Sequence, residues 1–378
     1  MVFEFFLPFL SHPTSPLSVI SSSASHDKST MTKTKVGILG AGFAATFHAM
    51  ALKEMADVEL VSVGAKTQGH AERFAKRWGI RNSYHGEQAI EKLTGDPDVE
   101  VVDIVLPNFL HRDAVVAAAE RKKNVIVEKP LARNRAEAKE MLRAVERHGV
   151  LHGYAENQLF TPQMERSLDM FRKGTIGDIL WVRSREAHFG PHSAWFWDPD
   201  LAGGGVLMDM GCHSVEVDRK IVNKKPVEAF CWGATLHHRT KAEDNSLIVV
   251  RYEDGKIGQS ENSWTARGGL DIRFEVYGTD GVAFVDITRE TGIRMFTVAS
   301  EEKVGYVVEK AETKRGWMFP IWREHQVYGY LSELQHFIDC FRRGEMPTET
   351  LSDGYVVNAI LDAGYASMRS GRWERIDI

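Results

Sequence analysis

From residue 35 to about residue 155 the chain alternates short apolar runs with segments of helical pattern. The runs read VGILG, VELVSVG, VEVVDIVLP, NVIVEKP and VLHGYA, and the helical segments fall at 43–55, 69–78, 87–93, 111–121 and 135–148. Continuous β-branched runs separated by helices predict an α/β unit, a parallel sheet covered on both faces. After residue 155 the pattern changes. A helix over 162–173 leads into longer alternating strands at 179–189, 227–237, 246–252, 256–264, 272–277 and 282–287. The turns Glu253-Asp254-Gly255 and Gly278-Thr279-Asp280-Gly281 predict antiparallel hairpins. Two amphipathic helices close the chain, one carrying Tyr330, Leu334, Phe337 and Phe341, the other Val357, Ile360, Leu361 and Met368. The expected division is therefore 32–155 and 156–378, with the last helices packing back on the first unit.

Composition narrows the partners. A chain of 378 residues suits two domains, and 43% hydrophobic with 26% charged residues is ordinary for a soluble globular protein. A net charge of −5 with no long basic block argues against nucleic acid. Cys212, Cys231 and Cys340 are too widely spaced for a disulfide framework or a thiolate zinc site, which fits a reducing, cytoplasmic setting. Residues 1–31 stand apart. FEFFLPFL is apolar but short, contains Pro8, lacks a basic residue ahead of it and runs into serines. It is a poor secretory signal and too short to span a bilayer, so it reads as a disordered extension ahead of a start at Met31, with no membrane partner.

The segment KVGILGAGFAA, 35–45, sets a strand directly before a GxGxxA turn that opens a helix. Gly40 permits the tight turn, Gly42 removes a Cβ from the path of a pyrophosphate, and Ala45 lets the helix lie close on the strand. The free N–H groups of the first turn, with Phe43 and Ala44, and the helix dipole welcome a phosphate. Ligands of such sheets gather beyond the strands' C-terminal ends, which brings Leu106-Pro107-Asn108 and Glu128-Lys129-Pro130 to the site. A lysine there is positioned to hold a substrate oxygen, and Pro130 is suited to a cis bond that aims it. The plain alternative is a strand-capping ion pair between Glu128 and Lys129. A second cluster reads GGGVLMDMGCH over 203–213. With a helix starting near Val206, Asp209 and His213 project from one face, a carboxylate beside an imidazole as for a general base. No third ligand stands at a recognisable spacing, so no metal is indicated.

Together GxGxxA, LPNxxH at 106–111, EKP at 128–130 and GGGxxxDxGxH at 203–213 resemble the Gfo/Idh/MocA family of NAD(P)-dependent oxidoreductases acting on sugars, cyclitols and related polyols. The resemblance covers about residues 33–372. It implies an N-terminal Rossmann domain and a C-terminal α+β domain with an open, mostly antiparallel sheet, one face holding substrate and the other making homodimer or homotetramer contacts. It makes Lys129, Asp209 and His213 the catalytic set and Asn108, His111 and Glu128 cofactor-side residues. One departure stands out. Where an acidic residue would end the second strand and bind the ribose of NAD, the chain reads Ala65-Lys66-Thr67, so NADP(H) is expected over NAD(H). On the substrate side His188, His192, Trp195, Phe196, Trp197 and Asp198 suit a pyranose or cyclitol, with Arg183, Arg185 and Glu156-Asn157 as further cleft candidates. The expected chemistry is hydride transfer between nicotinamide and a carbinol carbon. Lys129 and His213 remain alternative proton acceptors, and Asp209 either orients His213 or grips a neighbouring hydroxyl. Two rivals use the same fold: an NAD-dependent glycosidase that oxidises its sugar only transiently, and a dinucleotide-binding regulator without turnover.

Overall fold

The apolar runs of the first third become a six-stranded parallel sheet. The computed structural model describes residues 32–289, 292–304 and 306–378; the extension expected at 1–31 lies outside them. Strand β1 (Thr34–Leu39) is followed by α1 (Phe43–Glu54), β2 (Val58–Ala65), α2 (Gln68–Trp78), β3 (Asn82–His85), α3 (Ala89–Thr94), β4 (Val101–Ile104), α4 (His111–Glu120), β5 (Asn124–Glu128), α5 (Arg135–His148) and β6 (His152–Ala155). The strand order is β3-β2-β1-β4-β5-β6, parallel throughout. The winding reverses between β1 and β4, which opens a crevice beyond their C-terminal ends. Residues of β1, β4 and β5 are buried almost throughout because helices cover both faces. Edge strand β3, NSYH, has no apolar run to announce it.

The second half follows with α6 (Pro162–Arg172), β7 (Ile179–Ala187), α7 (Pro199–Ala202), α8 (Val206–Asp209), α9 (Gly211–Val222), β8 (Pro226–Ala234), β9 (Asn245–Tyr252), β10 (Ile257–Ser263), β11 (Asp271–Gly278) and β12 (Val282–Asp286). A small hairpin, β13 (Met295–Thr297) and β14 (Gly316–Met318), brackets α10 (Glu301–Val304). The chain ends with α11 (Glu324–Val327), α12 (Tyr330–Arg343), α13 (Leu351–Ser370) and β15 (Glu374–Arg375). The large sheet has seven strands in the order β12-β11-β7-β10-β9-β8-β15. Only β7 and β10 run parallel within it, and both expected hairpins form. Along β7 the period of two buries Val182, Ser184 and Glu186 and turns Trp181 and Arg183 outward. Helix α12 lies against α1, where the rings of Phe47 and Tyr330 stack with centroids 5.3 Å apart. Among the described residues no helix is long and apolar enough to cross a membrane, and the three cysteines are free and buried.

One local expectation fails. Residues 206–213 do not form one helix: α8 stops at Asp209, Met210 departs to φ −109° and ψ −35°, and α9 begins afresh at Gly211. Asp209 and His213 therefore do not share a regular helical face, and each finds a different partner.

Candidate active site

The glycine turn is built as its sequence demands. Gly40 has φ +128°, and a Cβ there would lie 2.2 Å from the Val105 carbonyl oxygen, so only glycine fits. A Cβ on Gly42 would meet nothing within 4 Å. Gly42 caps α1 without any side-chain hydrogen bond, so the first-turn N–H groups face open space. That space is one end of a cavity of about 740 Å³ lined here by Gly40, Gly42, Phe43 and Ala44, then by Ala65 and Lys66. It continues past Leu106, Pro107 and Asn108 to Glu128, Lys129 and Asn157, and ends among His188, Trp195, Asp209 and His213. Asn108 and Asn157 fix the walls, donating to the carbonyls of Ala202 (2.7 Å) and Tyr328 (2.7 Å).

The reactive end is assembled from both halves of the chain. The Lys129–Pro130 peptide is cis. Lys129 Nζ donates to the Asp209 carbonyl at 2.9 Å and to its carboxylate at 3.3 Å. Burial opposes the ammonium, but Asp209 above all outweighs it and holds the Lys129 pKa above the ordinary lysine value. Burial opposes the Asp209 carboxylate too; Lys129 reverses that and keeps it below the usual range. Trp264 Nε1 donates to the other Asp209 oxygen at 3.1 Å. His213 is held elsewhere: its Nδ1 lies 2.6 and 2.8 Å from the two oxygens of buried Glu156. Burial disfavours the imidazolium, but Glu156 and then Glu186 more than offset it, so the His213 pKa is raised. The carboxylate that prepares the imidazole is thus Glu156, not Asp209.

Several expected site residues act elsewhere. Thr67 is the N-cap of α2, accepting from His70 N at 3.3 Å, and does not line the cavity. His111 is buried under the walls, its Nδ1 3.1 Å from the carbonyls of Pro130 and Leu131 and its Nε2 2.7 Å from that of Leu106. It joins two loops instead of facing a ligand. Trp197 packs edge-on against Trp264, 5.4 Å between centroids, in a small core with Val206 and Met210. Arg183 and Arg185 point to the outer face, paired with Glu275 and with Glu261 and Asp271. The Glu128–Lys129 pair of the plain reading is not made through the ammonium either: Glu128 accepts from His48 Nε2 at 3.0 Å. Conversely, sequence reasoning missed Glu186, His70 and Glu87 in the cavity wall and His48 behind it. Only the strand period of β7 signalled Glu186.

A nicotinamide dinucleotide fits this cavity, with open backbone N–H groups at Gly42 for its pyrophosphate and an uninterrupted wall from there to Lys129. Residues 34–155 match the oxidoreductase family with NAD-binding Rossmann fold, and residues 165–284 match the GFO/IDH/MocA C-terminal domain. The chain belongs to the Gfo/Idh/MocA family. A myo-inositol 2-dehydrogenase of Thermotoga maritima is 27% identical over 89% of this chain and 96% of its own length. An uncharacterized oxidoreductase of Bacillus subtilis, YrbE, is 30% identical over 71% of this chain and 78% of its own. Among solved structures, GenD2 from gentamicin A biosynthesis in complex with NAD superposes with a TM-score of 0.85 at 26% identity, covering 92% of this chain and 97% of that one. Family membership makes the chain a nicotinamide-dinucleotide-dependent oxidoreductase.

Proposed function

We propose that the protein transfers a hydride reversibly between a nicotinamide dinucleotide and a carbinol or carbonyl carbon of a sugar, cyclitol or related polyol. The observation that carries this reading is the convergence of Lys129, Asp209 and His213 on the cavity that begins at the glycine turn. When bound, the dinucleotide supplies the ring carbon that accepts or returns the hydride. Lys129, kept cationic by Asp209, donates to the substrate oxygen and stabilises negative charge on it. An ammonium so held has no lone pair to accept with, so His213 takes the hydroxyl proton at Nε2 while Glu156 steadies the ring. Asp209 anchors Lys129 and is itself oriented by Trp264. Trp195 offers an aromatic face to C–H surfaces, and His188, kept by burial well below its ordinary pKa, offers a neutral imidazole. The substrate class is supported by the relatives named myo-inositol 2-dehydrogenase and levoglucosan dehydrogenase, the latter 28% identical over 91% of this chain. A polyol and ketose screen with both cofactors tests it; Lys129→Ala turnover near wild type on any accepted substrate ends this assignment.

We infer NADP(H) preference from Ala65, which brings no carboxylate to the end of β2, and from Lys66 and His70 in the adjoining wall. A second reading, NAD(H), is favoured by Glu87 in the same wall. Dissociation constants for both reduced cofactors decide between them: tighter NADH binding ends the NADP reading. We also propose a cytoplasmic enzyme divided at about residue 155, forming a homodimer or homotetramer through the outer face of the large sheet. Exposed Trp181, Trp232 and Phe284 on that face support the assembly. Sedimentation showing a monomer at micromolar concentration refutes it.

A further inference from the structure

Glu186 is a carboxyl in the reactive end of the cavity to which the hydride-transfer reading assigns no contact with cofactor or reacting hydroxyl. Strand β7 carries it on the inner face, between Ile272 of β11 and Asn262 of β10, and its side chain reaches the cavity wall. One oxygen lies 3.8 Å from His213 Nε2, the nitrogen that faces the substrate. The other is buried with no hydrogen-bond partner, and the amide oxygen of Gln158 in the same wall is unpartnered as well. Lys129, His213 and Glu156 are the charged neighbours and the Gln158 side chain is a hydrogen-bonding one; burial is the main reason the Glu186 pKa is pushed up to about 7. A buried carboxyl oxygen without a partner is unfavourable unless something satisfies it when the site is filled.

We propose that Glu186 hydrogen-bonds a second substrate hydroxyl, on the carbon next to the one that loses hydride, and so selects vicinal diols over isolated alcohols. An oxygen that gives its proton to His213 Nε2 sits one hydrogen-bond length, about 2.8 Å, from that nitrogen. A hydroxyl on the adjacent carbon then falls beside the carboxyl that stands 3.8 Å away from the same nitrogen. The inference rests on the hydride-transfer reading above. Its probes are cyclohexanol and trans- and cis-1,2-cyclohexanediol, oxidised with the preferred cofactor and read as the ratio of kcat/KM for the better diol to that for cyclohexanol. Wild type should favour the diol by about 10- to 100-fold. Glu186→Met, similar in shape but unable to accept, should reduce that ratio to within about threefold of unity. Glu186→Gln, which keeps a donor and an acceptor, should retain most of the preference and guards against a mere folding defect. Binding of the reduced cofactor, followed by nicotinamide fluorescence, should be unchanged in both variants. Equal use of both probes by wild type overturns the assignment of Glu186 alone. So does a Glu186→Met enzyme that loses diol and alcohol turnover in equal proportion. A wild type that binds cofactor yet oxidises no probe and no member of the polyol panel overturns the hydride-transfer reading, and this inference with it.

Discussion

Replacing Glu156 with Gln tests the proton path most directly. Both oxygens of this buried carboxylate lie within 2.8 Å of His213 Nδ1, at 2.6 and 2.8 Å. They fix the ring proton on Nδ1 and leave the lone pair of the neutral ring on Nε2, toward the cavity. The same charge favours the imidazolium. Burial works against that form, and Glu156, ahead of Glu186, reverses the balance. A hydrogen bond to a charged partner is worth about 1.5–3 kcal/mol, roughly one to two pK units. Oxidation requires the neutral ring, so it rises with pH through the His213 pKa, while reduction, which draws on the imidazolium, falls. In Glu156→Gln the rising limb of kcat/KM for oxidation should therefore move to lower pH by about one to two units. The amide can also donate to Nδ1 and drive the ring proton onto Nε2, where acceptance is impossible. A fault of that kind lowers kcat by about 10⁴-fold where a buried Asp holds a catalytic His, so a loss of about 10²- to 10⁴-fold is expected across the pH range. The assay is the pH–rate profile of wild type and variant on one accepted polyol. A limb that stays in place with turnover within about threefold of wild type refutes His213 as the proton acceptor.

Three further outcomes follow from single contacts. Gly40→Ala should lose more than about 3 kcal/mol of stability, or fail to bind cofactor, because its Cβ would sit 2.2 Å from the Val105 oxygen at φ +128°; thermal melting and fluorescence titration read both. Lys66→Ala should weaken NADPH binding by about 3- to 10-fold and leave NADH binding nearly unchanged, a contrast visible in parallel titrations. His152, buried beside α13 and accepting from Leu351 N at 3.2 Å, has its pKa lowered from 6.5 to about 4 by burial. The unfolded chain takes up that proton first, so this contribution is complete above the ordinary value and is lost as pH falls toward 4. Wild type should thus lose up to about 3 kcal/mol over that window relative to His152→Asn, measured as the difference in urea unfolding free energy.

How legible the molecule was depends on how local its causes are. Parallel strands covered on both faces must be apolar throughout, so five of the six announced themselves, whereas β3 is an edge strand, NSYH, held by pairing with β2. The two tight turns gave away their hairpins for the same local reason. Strand β15 is two residues long and exists only because Glu374 and Arg375 pair with Ala229 and Glu228. The break at Met210 was hidden because a spacing of four suits a helix as well as it suits two short ones. At the site, the glycine turn was readable because Gly40 answers a backbone need. The partner of His213 was not, since Glu156 lies 57 residues away and no periodicity joins them.

The pair Glu128–Lys129 shows why adjacency in sequence misleads at such sites. Neighbouring residues at the end of a strand project to opposite sides. Lys129 turns toward Asp209, while Glu128 turns back to accept from His48 Nε2 at 3.0 Å. The other nitrogen of that ring meets Asp103 at 2.9 Å. Both nitrogens must donate, so His48 is an imidazolium wedged between two carboxylates; burial opposes the charge, and Asp103 and then Glu128 hold its pKa well above the ordinary value. The acid beside the lysine therefore already has a cation of its own, supplied from α1 one turn beyond the glycine turn. This division of partners keeps the positive charge of Lys129 for Asp209 and for the substrate oxygen. A direct Glu128–Lys129 bridge would quench that charge in the strand and leave the cavity without an electrophile. The helix that receives the dinucleotide phosphate thus also provides, through His48, the counter-charge that frees the lysine.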